Sequence, residues 1–422
     1  MPASLRVQSL VLLGVTVALL ALAASLALAA SGLPPARREG LVDRSSGFVW
    51  TQGEWARRLA ETLDLAADLS LPLNEKVAFE RLCPERMDGR IAGLPEPIPL
   101  ERVTARVGAV RWQGPSTRPG RYRLTVYGRG TSTWSTAGSA LSVLSPGDLA
   151  VDVSRQPLLL AGGPVDLWAR PADGAQVERV EVTPWATSCI APAGGWRTGH
   201  SLTFGAKART MLLALDALER LPREGEPLRV EAERFALAAR DMAVTRRVLG
   251  APASQARWVE AIGNAAEFRY AFELEEAGLF TILARIHGAG RQIWSLDGAL
   301  HTAVVAGEDA PRFAWSEVAT VWLEAGSHAL RALLPRGAGI DVVQLLRRRT
   351  DDEAFLEALG SLGLREGAAA DFVDEAAARG NLEALERLLQ VHSRDTSGLA
   401  AAEGELEQLY RRPLSPVLPG DL

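Results

Sequence analysis

Cysteine is nearly absent: Cys83 and Cys189 are the only two in 422 residues. A small disulfide-framework fold is therefore excluded. A cysteine-built zinc site would need help from five scattered histidines, which show no metal-ligand spacing. Lysine is equally rare, Lys76 and Lys207 being the only two among 46 basic residues, an arginine bias that carries no functional weight. Positive charge is not in excess, since 51 acids leave a net charge of −5. That balance argues against a general nucleic-acid binder, which needs a basic surface to replace the counterions of the phosphates. Catalytic signatures are missing as well: there is no Gly-x-Ser-x-Gly elbow, no phosphate loop, no His-Glu-x-x-His and no Gly-x-Gly-x-x-Gly after a strand. A non-catalytic protein is expected. After residue 33 no run is long and apolar enough to span a bilayer.

The N-terminus is the exception. Leu10 to Ala30 is built of Leu, Val, Ala, Gly, Ser and Thr, with Arg6 the only side-chain charge before it. A helix of this length crosses a bilayer, and Ala27-Leu28-Ala29 supplies the small-x-small pattern of a signal-peptidase site. Residues 1–33 fit a cleaved signal peptide and an uncleaved signal anchor alike. Both predict export to the periplasm or the extracellular space, with membrane contact only through this segment. Export permits a disulfide. Cys83–Cys189 would close a long loop and stabilise the fold by about 4–5 kcal/mol in chain entropy; two buried free thiols are the alternative.

The rest of the chain divides into four parts. Residues 48–97 open with a helix, because Thr51-Gln52-Gly53-Glu54 has capping-box spacing and Trp55, Leu59 and Leu63 recur on one stripe. Residues 100–220 read as β-structure. Tyr122, Leu124 and Val126 alternate with Arg121, Arg123 and Thr125, and further runs lie at 140–144, 165–169 and 177–182 between Gly, Pro, Asp and Ser turns. The segment 221–227, rich in Pro, Gly and Glu, reads as a linker. Residues 228–349 repeat the layout, with strands expected at 268–274, 279–286, 318–323, 328–333 and 340–346. Residues 351–410 turn helical: Phe355, Leu359 and Leu362 form one apolar stripe, and Leu382, Leu385, Leu388 and Leu389 another. These helices are expected to form a packing or partner-binding appendage. The 39 Gly, 24 Pro and 11 Trp among many short apolar runs favour β-sandwiches over a parallel α/β fold.

The two β regions align as copies. Pro119-Gly120-Arg121-Tyr122-Arg123-Leu124 lies over Ala277-Gly278-Leu279-Phe280-Thr281-Ile282. Gly174-Ala175-Gln176-Val177 lies over Gly337-Ala338-Gly339-Ile340. Each region is large enough to enclose its own core, so the expected arrangement is two tandem domains, not a solenoid.

The second region carries a recognisable order of motifs. It opens on Arg229-Val230-Glu231-Ala232-Glu233, continues with Gly278-Leu279-Phe280-Thr281-Ile282, places Trp315 before Val321-Trp322-Leu323-Glu324-Ala325-Gly326-Ser327-His328, and closes on Gly339-Ile340-Asp341-Val342-Val343. This order resembles the carbohydrate-binding modules of the galactose-binding-like β-jelly-roll type, families 6 and 35, over about 120 residues; the first region resembles them only through the repeat. The resemblance implies a mainly β fold of two tandem jelly-roll sandwiches between helical ends. It implies a structural calcium held by Glu231, Glu233 and Asp341. Hard oxygen ligands suit calcium, and a carboxylate at Asp341 among Ile340, Val342, Val343 and Leu345 needs a cation or strong donors; pairing with Arg229, Arg234 or Arg347 is the alternative. It also implies a sugar stacked on aromatic rings, with Trp315 in the place of the family's loop tryptophan. The companion ring of the family's Gly-Asp-Trp turn is missing here, where the turn reads Gly263-Asn264-Ala265-Ala266-Glu267, and Trp258 and Trp294 are the candidate substitutes. The expected protein is exported, non-catalytic and carbohydrate-binding at the cell envelope. The competing expectation is an envelope scaffold that holds protein partners through its sandwiches and C-terminal helices.

Overall fold

Alternating apolar residues need a partner sheet to bury their inward face, and here they find it in three antiparallel sheets. The computed structural model describes residues 51–362, apart from 64–73, 84–90, 92, 107–108, 137–138, 155–157, 186–188, 236, 239–242, 249–250, 264, 289 and 306–312. The N-terminal apolar run and the leucine stripe at 382–389 lie outside the described residues.

The first β region is one seven-stranded sheet of β1 (Ile98–Arg106), β2 (Ala109–Arg129), β3 (Ser132–Thr136), β4 (Ser139–Leu144), β5 (Val151–Val153), β6 (Leu158–Pro171) and β7 (Gln176–Pro184). It curls because β2 is 21 residues long and changes neighbours along its length. Its first half pairs with β6 and its second half with β7, while β1 pairs with both β7 and β2. Trp112, Leu124, Val126, Trp134, Leu167 and Val182 fill the enclosed core.

The second β region is a sandwich. One sheet runs β10 (Ala243–Arg247), β11 (Arg257–Ala261), β18 (Gly339–Arg348), β13 (Gly278–His287), β16 (Ala314–Leu323), with β8 (Leu228–Glu231) also on β18. The other runs β15 (Leu300–Val305), β14 (Arg291–Leu296), β17 (Gly326–Leu334), β12 (Ala266–Leu274), β9 (Leu237–Ala238). Phe268, Tyr270, Ile282, Trp294, Val321 and Leu330 pack between them. The strands expected from the sequence all lie inside observed ones. The contacts of the first region recur in the second: β2 with β6 and β7 corresponds to β12 with β17 and β13 with β18, and the hairpin β3–β4 corresponds to β14–β15. The difference is that one continuous strand, β2, does in the first region what two strands in separate sheets do in the second.

Four helices build a further core from distant parts of the chain: α1 (Gln52–Thr62), α2 (Glu75–Leu82), α3 (Phe204–Leu215) and α4 (Asp352–Ser361). The capping box at Thr51 forms in full, with Glu54 N donating to Thr51 Oγ1 at 3.1 Å and Thr51 N to Glu54 at 2.9 Å. Trp55, Leu59, Leu82, Met211, Leu212, Phe355 and Leu359 are all buried in this core, which also takes in Leu279 of β13. Trp55 Nε1 donates to Thr210 Oγ1 at 2.9 Å. Cys83 and Cys189 are joined in a disulfide that ties the end of α2 to the approach to α3.

Three expectations change. Residues 204–215 are helix and not strand, because Thr203 caps the first turn by accepting from Ala206 N, and Ala, Leu and Met fill the turns that follow. The segment 221–227 is no free linker: Arg348 donates to Leu221 O at 2.8 Å, and Glu224 N donates to Arg347 O at 2.8 Å. The apolar stripe of α4, expected either to pack or to meet a protein partner, is turned inward, with Phe355 and Leu359 fully buried. Phe355→Ala should lower stability by about 3–5 kcal/mol in urea denaturation, the cost of emptying a buried aromatic site. An exposed docking stripe would lose less than about 0.5 kcal/mol.

Charged groups from three parts of the chain meet where the β regions and α3 join. Burial, with Glu317 and Asp216 adding to it, pushes the Glu219 carboxyl from 4.5 up to about 8 against the pull of Arg220. Burial raises Glu317 as well, with Arg348 and Arg123 opposing. An acid whose folded value lies above its unfolded one contributes stability in full below about 4.5 and loses it as pH rises through about 8. Thermal midpoints should therefore fall between pH 5 and pH 8, and Glu219→Gln should flatten that decline.

Candidate functional site

The end of the second sandwich where β11, β13 and β18 meet holds most of the residues singled out in the sequence. Asp341 is fully buried on β18. Arg285 of β13 reaches it: Arg285 Nη1 is 2.6 Å from Asp341 Oδ2 and also 2.6 Å from Pro252 O. Asp341 Oδ1 accepts from Ser254 N at 2.7 Å. Glu231, on the neighbouring strand β8, pairs with Arg229 Nε at 2.7 Å and accepts from Ser254 Oγ at 3.3 Å. Burial raises the Glu231 carboxyl, and Arg229 and Ser254 work against that rise.

Glu233 and Asp341 both act on Glu231, and among the described residues no group of three His, Cys, Asp or Glu side chains is found in metal-holding geometry. Both Asp341 oxygens are engaged, and a guanidinium supplies the positive charge that a cation was expected to supply. Arg229 was a foreseeable partner for this acid cluster. Arg285 was not, because its place beside Asp341 depends on the register of β13 on β18, where Arg285 lies opposite Val342 and a bulge follows.

The tryptophans separate sharply. Trp315 was expected as an exposed loop platform, but β16 already begins at Ala314, and Trp315 pairs with Arg285 across the ladder. Its ring is buried with Leu283, Val342 and Leu346. Trp294 is wholly enclosed between the two sheets. Neither ring offers a face to a ligand. Trp258 on β11 is partly buried. It stands edge-on to Phe313 at 5.7 Å and to His287 at 6.2 Å, while His287 and Phe313 are 4.8 Å apart.

Polar groups rim this aromatic cluster. Trp258 Nε1 donates to Glu260 at 3.3 Å, and Arg246 holds the same carboxylate through contacts of 3.0 and 3.2 Å. The Arg285 guanidinium lies 5.5 Å from the Phe313 ring, which connects the cluster to the buried ion pair below it. Burial lowers the His287 imidazole, with Glu260 opposing. Gly339 lies opposite His287 in the ladder, and a Cβ there would meet the imidazole and sit 2.7 Å from Val259 O, so only glycine leaves room for this ring. Phe313 is the site residue missed in the sequence. It lies two positions before the more conspicuous Trp315 and just outside β16, where it packs on Trp258 and His287.

Arg285→Ala should cost about 3–5 kcal/mol, because it strands a buried carboxylate. If Glu231, Glu233 and Asp341 hold calcium, the melting temperature of the wild-type chain should rise with added calcium and fall on chelation. An unchanged melting temperature leaves Arg229 and Arg285 as the partners of these acids.

No known protein family matches the sequence, and no curated protein matches it. Solved structures similar to part of the chain include a mannanase of Podospora anserina with a family 35 carbohydrate-binding module, at 15% identity and a TM-score of 0.27 over 30% of this chain and 28% of that one. The C-terminal family 6 module of a marine laminarinase from Zobellia galactanivorans is 18% identical, with a TM-score of 0.24 over 29% of this chain and 100% of the module. A family 35 module from Clostridium thermocellum is 13% identical, with a TM-score of 0.25 over 29% of this chain and 98% of that one. The chain thus spans less than a third of the length of the mannanase and nearly all of the isolated modules.

Proposed function

We propose that this chain is an exported, non-catalytic protein that binds carbohydrate at the cell envelope, and that Trp258 and Phe313 form its sugar platform. The aromatic cluster at the end of the second sandwich carries the reading. A pyranose presents an apolar face of C–H groups and an edge of hydroxyls. The partly buried Trp258 ring suits the first, and Glu260 with Arg246 suits the second. The platform is held still by its neighbours, since His287 and Phe313 brace the indole and the Arg285–Asp341 pair fixes the strands beneath. A rigid site loses little entropy on binding.

Export rests on the apolar run at Leu10–Ala30, and the Cys83–Cys189 bridge is at home in an oxidising compartment. The shared pairing pattern of the two β regions supports reading them as two copies of one domain. The scaffold alternative loses its main surface, because the described part of the C-terminal stripe is spent on the helical core.

Trp258→Ala should weaken binding of the purified chain to envelope polysaccharide by about tenfold or more, where a tenfold change is about 1.4 kcal/mol. Its melting temperature should stay close to wild type, since the ring is only partly buried. Affinity electrophoresis measures the first and calorimetry the second. Wild-type retention by a folded Trp258→Ala chain would remove the platform from this end of the sandwich.

A further inference from the structure

A second concavity lies between the two β regions, away from the aromatic cluster. It encloses about 410 Å³, within the range of small-molecule sites. One wall comes from the first region, with Tyr127 of β2 and with Arg179 and Glu181 of β7. The opposite wall comes from the second region, with Glu267 of β12 and Arg331 of β17. Val151, Ile293 and Leu333 make an apolar floor.

The walls are fixed before anything binds. Beneath the groove, Leu149, Val151 and Val153 pack on Ile293 in a buried seam shared by both regions. Beside it, Arg291 of β14 pairs with Asp152 of β5, which is itself buried and accepts from Ser145 N and Val153 N. The polar groups are fixed as well. The Arg179 guanidinium stacks 3.8 Å from the Tyr127 ring and lies 3.4 Å from Glu181, and Tyr127 donates to Glu181 at 3.2 Å. Arg331 holds Glu267 through contacts of 2.7 and 3.2 Å. Burial works to raise the Glu267 carboxyl, yet Arg331 and Arg269 outweigh it and keep the group ionised.

The geometry points to this groove as a second ligand site, for a neutral oligosaccharide clasped between the two β regions. The charges decide the class. Among the lining residues two guanidinia face two carboxylates, and Arg269 behind Glu267 adds to its hold, so no lining charge is left without a partner for an ionic ligand to take. A polyhydroxylated ring suits such a site: vicinal hydroxyls donate to a carboxylate and accept from the planar guanidinium fork, while the ring's C–H face lies on the apolar floor. The choice of carbohydrate as the ligand rests on the function proposed above. The groove's two-walled construction does not.

The test is titration calorimetry of the purified full chain with cellohexaose, laminarihexaose and mannohexaose, with oligogalacturonate as a charged comparison. The Trp258→Ala chain isolates the groove from the first platform. It should still bind a neutral hexaose at one site. Adding Arg179→Ala in one wall, or Arg331→Ala in the other, should each weaken that binding at least tenfold. Both arginine side chains are about half-exposed, at 56% and 44%, so melting temperatures should hold; Arg331→Lys, which keeps the charge and loses the fork, serves as a folded comparison and should also bind more weakly. Complete loss of binding in Trp258→Ala alone overturns the groove and leaves the platform standing. Binding indifferent to Trp258→Ala but lost in the arginine variants overturns the platform and keeps the groove. Equal affinity with and without Arg331→Ala, or preference for oligogalacturonate, overturns the groove as a neutral-sugar site.

Discussion

Trp55 fixes the positions of parts of the chain that are far apart in sequence. Its indole donates to Thr210, its ring face receives Lys207 Nζ at 4.8 Å, and Phe355 and Leu359 from the far end of the described chain share its core. Burial of Lys207 in this core lowers its ammonium to about 7. The helices could not be folded as separate appendages, since each is short and none can bury its apolar face alone. Their packing joins the four helices to β13 of the second β region through Leu279.

The strands were readable because alternation survives in sequence: each half-buried strand writes its own period of two. Residues 204–215 were also readable in principle, from Thr203 as a cap and a following run without β-branched residues after Thr210, but the surrounding β pattern obscured them. Pairing was not readable. Asp341 was recognisable as a carboxylate in need of a counter-charge, yet its partner sits 56 residues away and is set by strand register. Trp315 and Phe313 show the same limit at closer range, because Trp315 lies inside β16 and joins the core while Phe313 precedes the strand and packs on Trp258 and His287. Residue types disclosed the chemistry of the site, and long-range register assigned the roles.

The two β regions solve one topological problem in two ways. Where the second uses a turn at 275–277 to pass between sheets, the first continues through β2 without a break and bends instead. A strand that serves two neighbours in succession must twist along its length, and Gly128, with φ of +145°, lies in its second half where the register slips. The bent sheet leaves β5 and the outer ends of β2 and β7 facing the second sandwich, so the seam and the groove arise from the same curvature.

The disulfide has a mechanical consequence. Cys83 and Cys189 lie on either side of the first β region, so β1 to β7 all belong to a covalent ring of the chain. Tension applied between residue 51 and residue 362 crosses that ring through the sulfur bridge and bypasses the seven strands. The load falls instead on α1, α2, α3 and the second sandwich. For a chain tethered at one end and held by a ligand at the other, the first β region would remain folded while its neighbours bear the strain. Reduction of the bridge would place it in series with them.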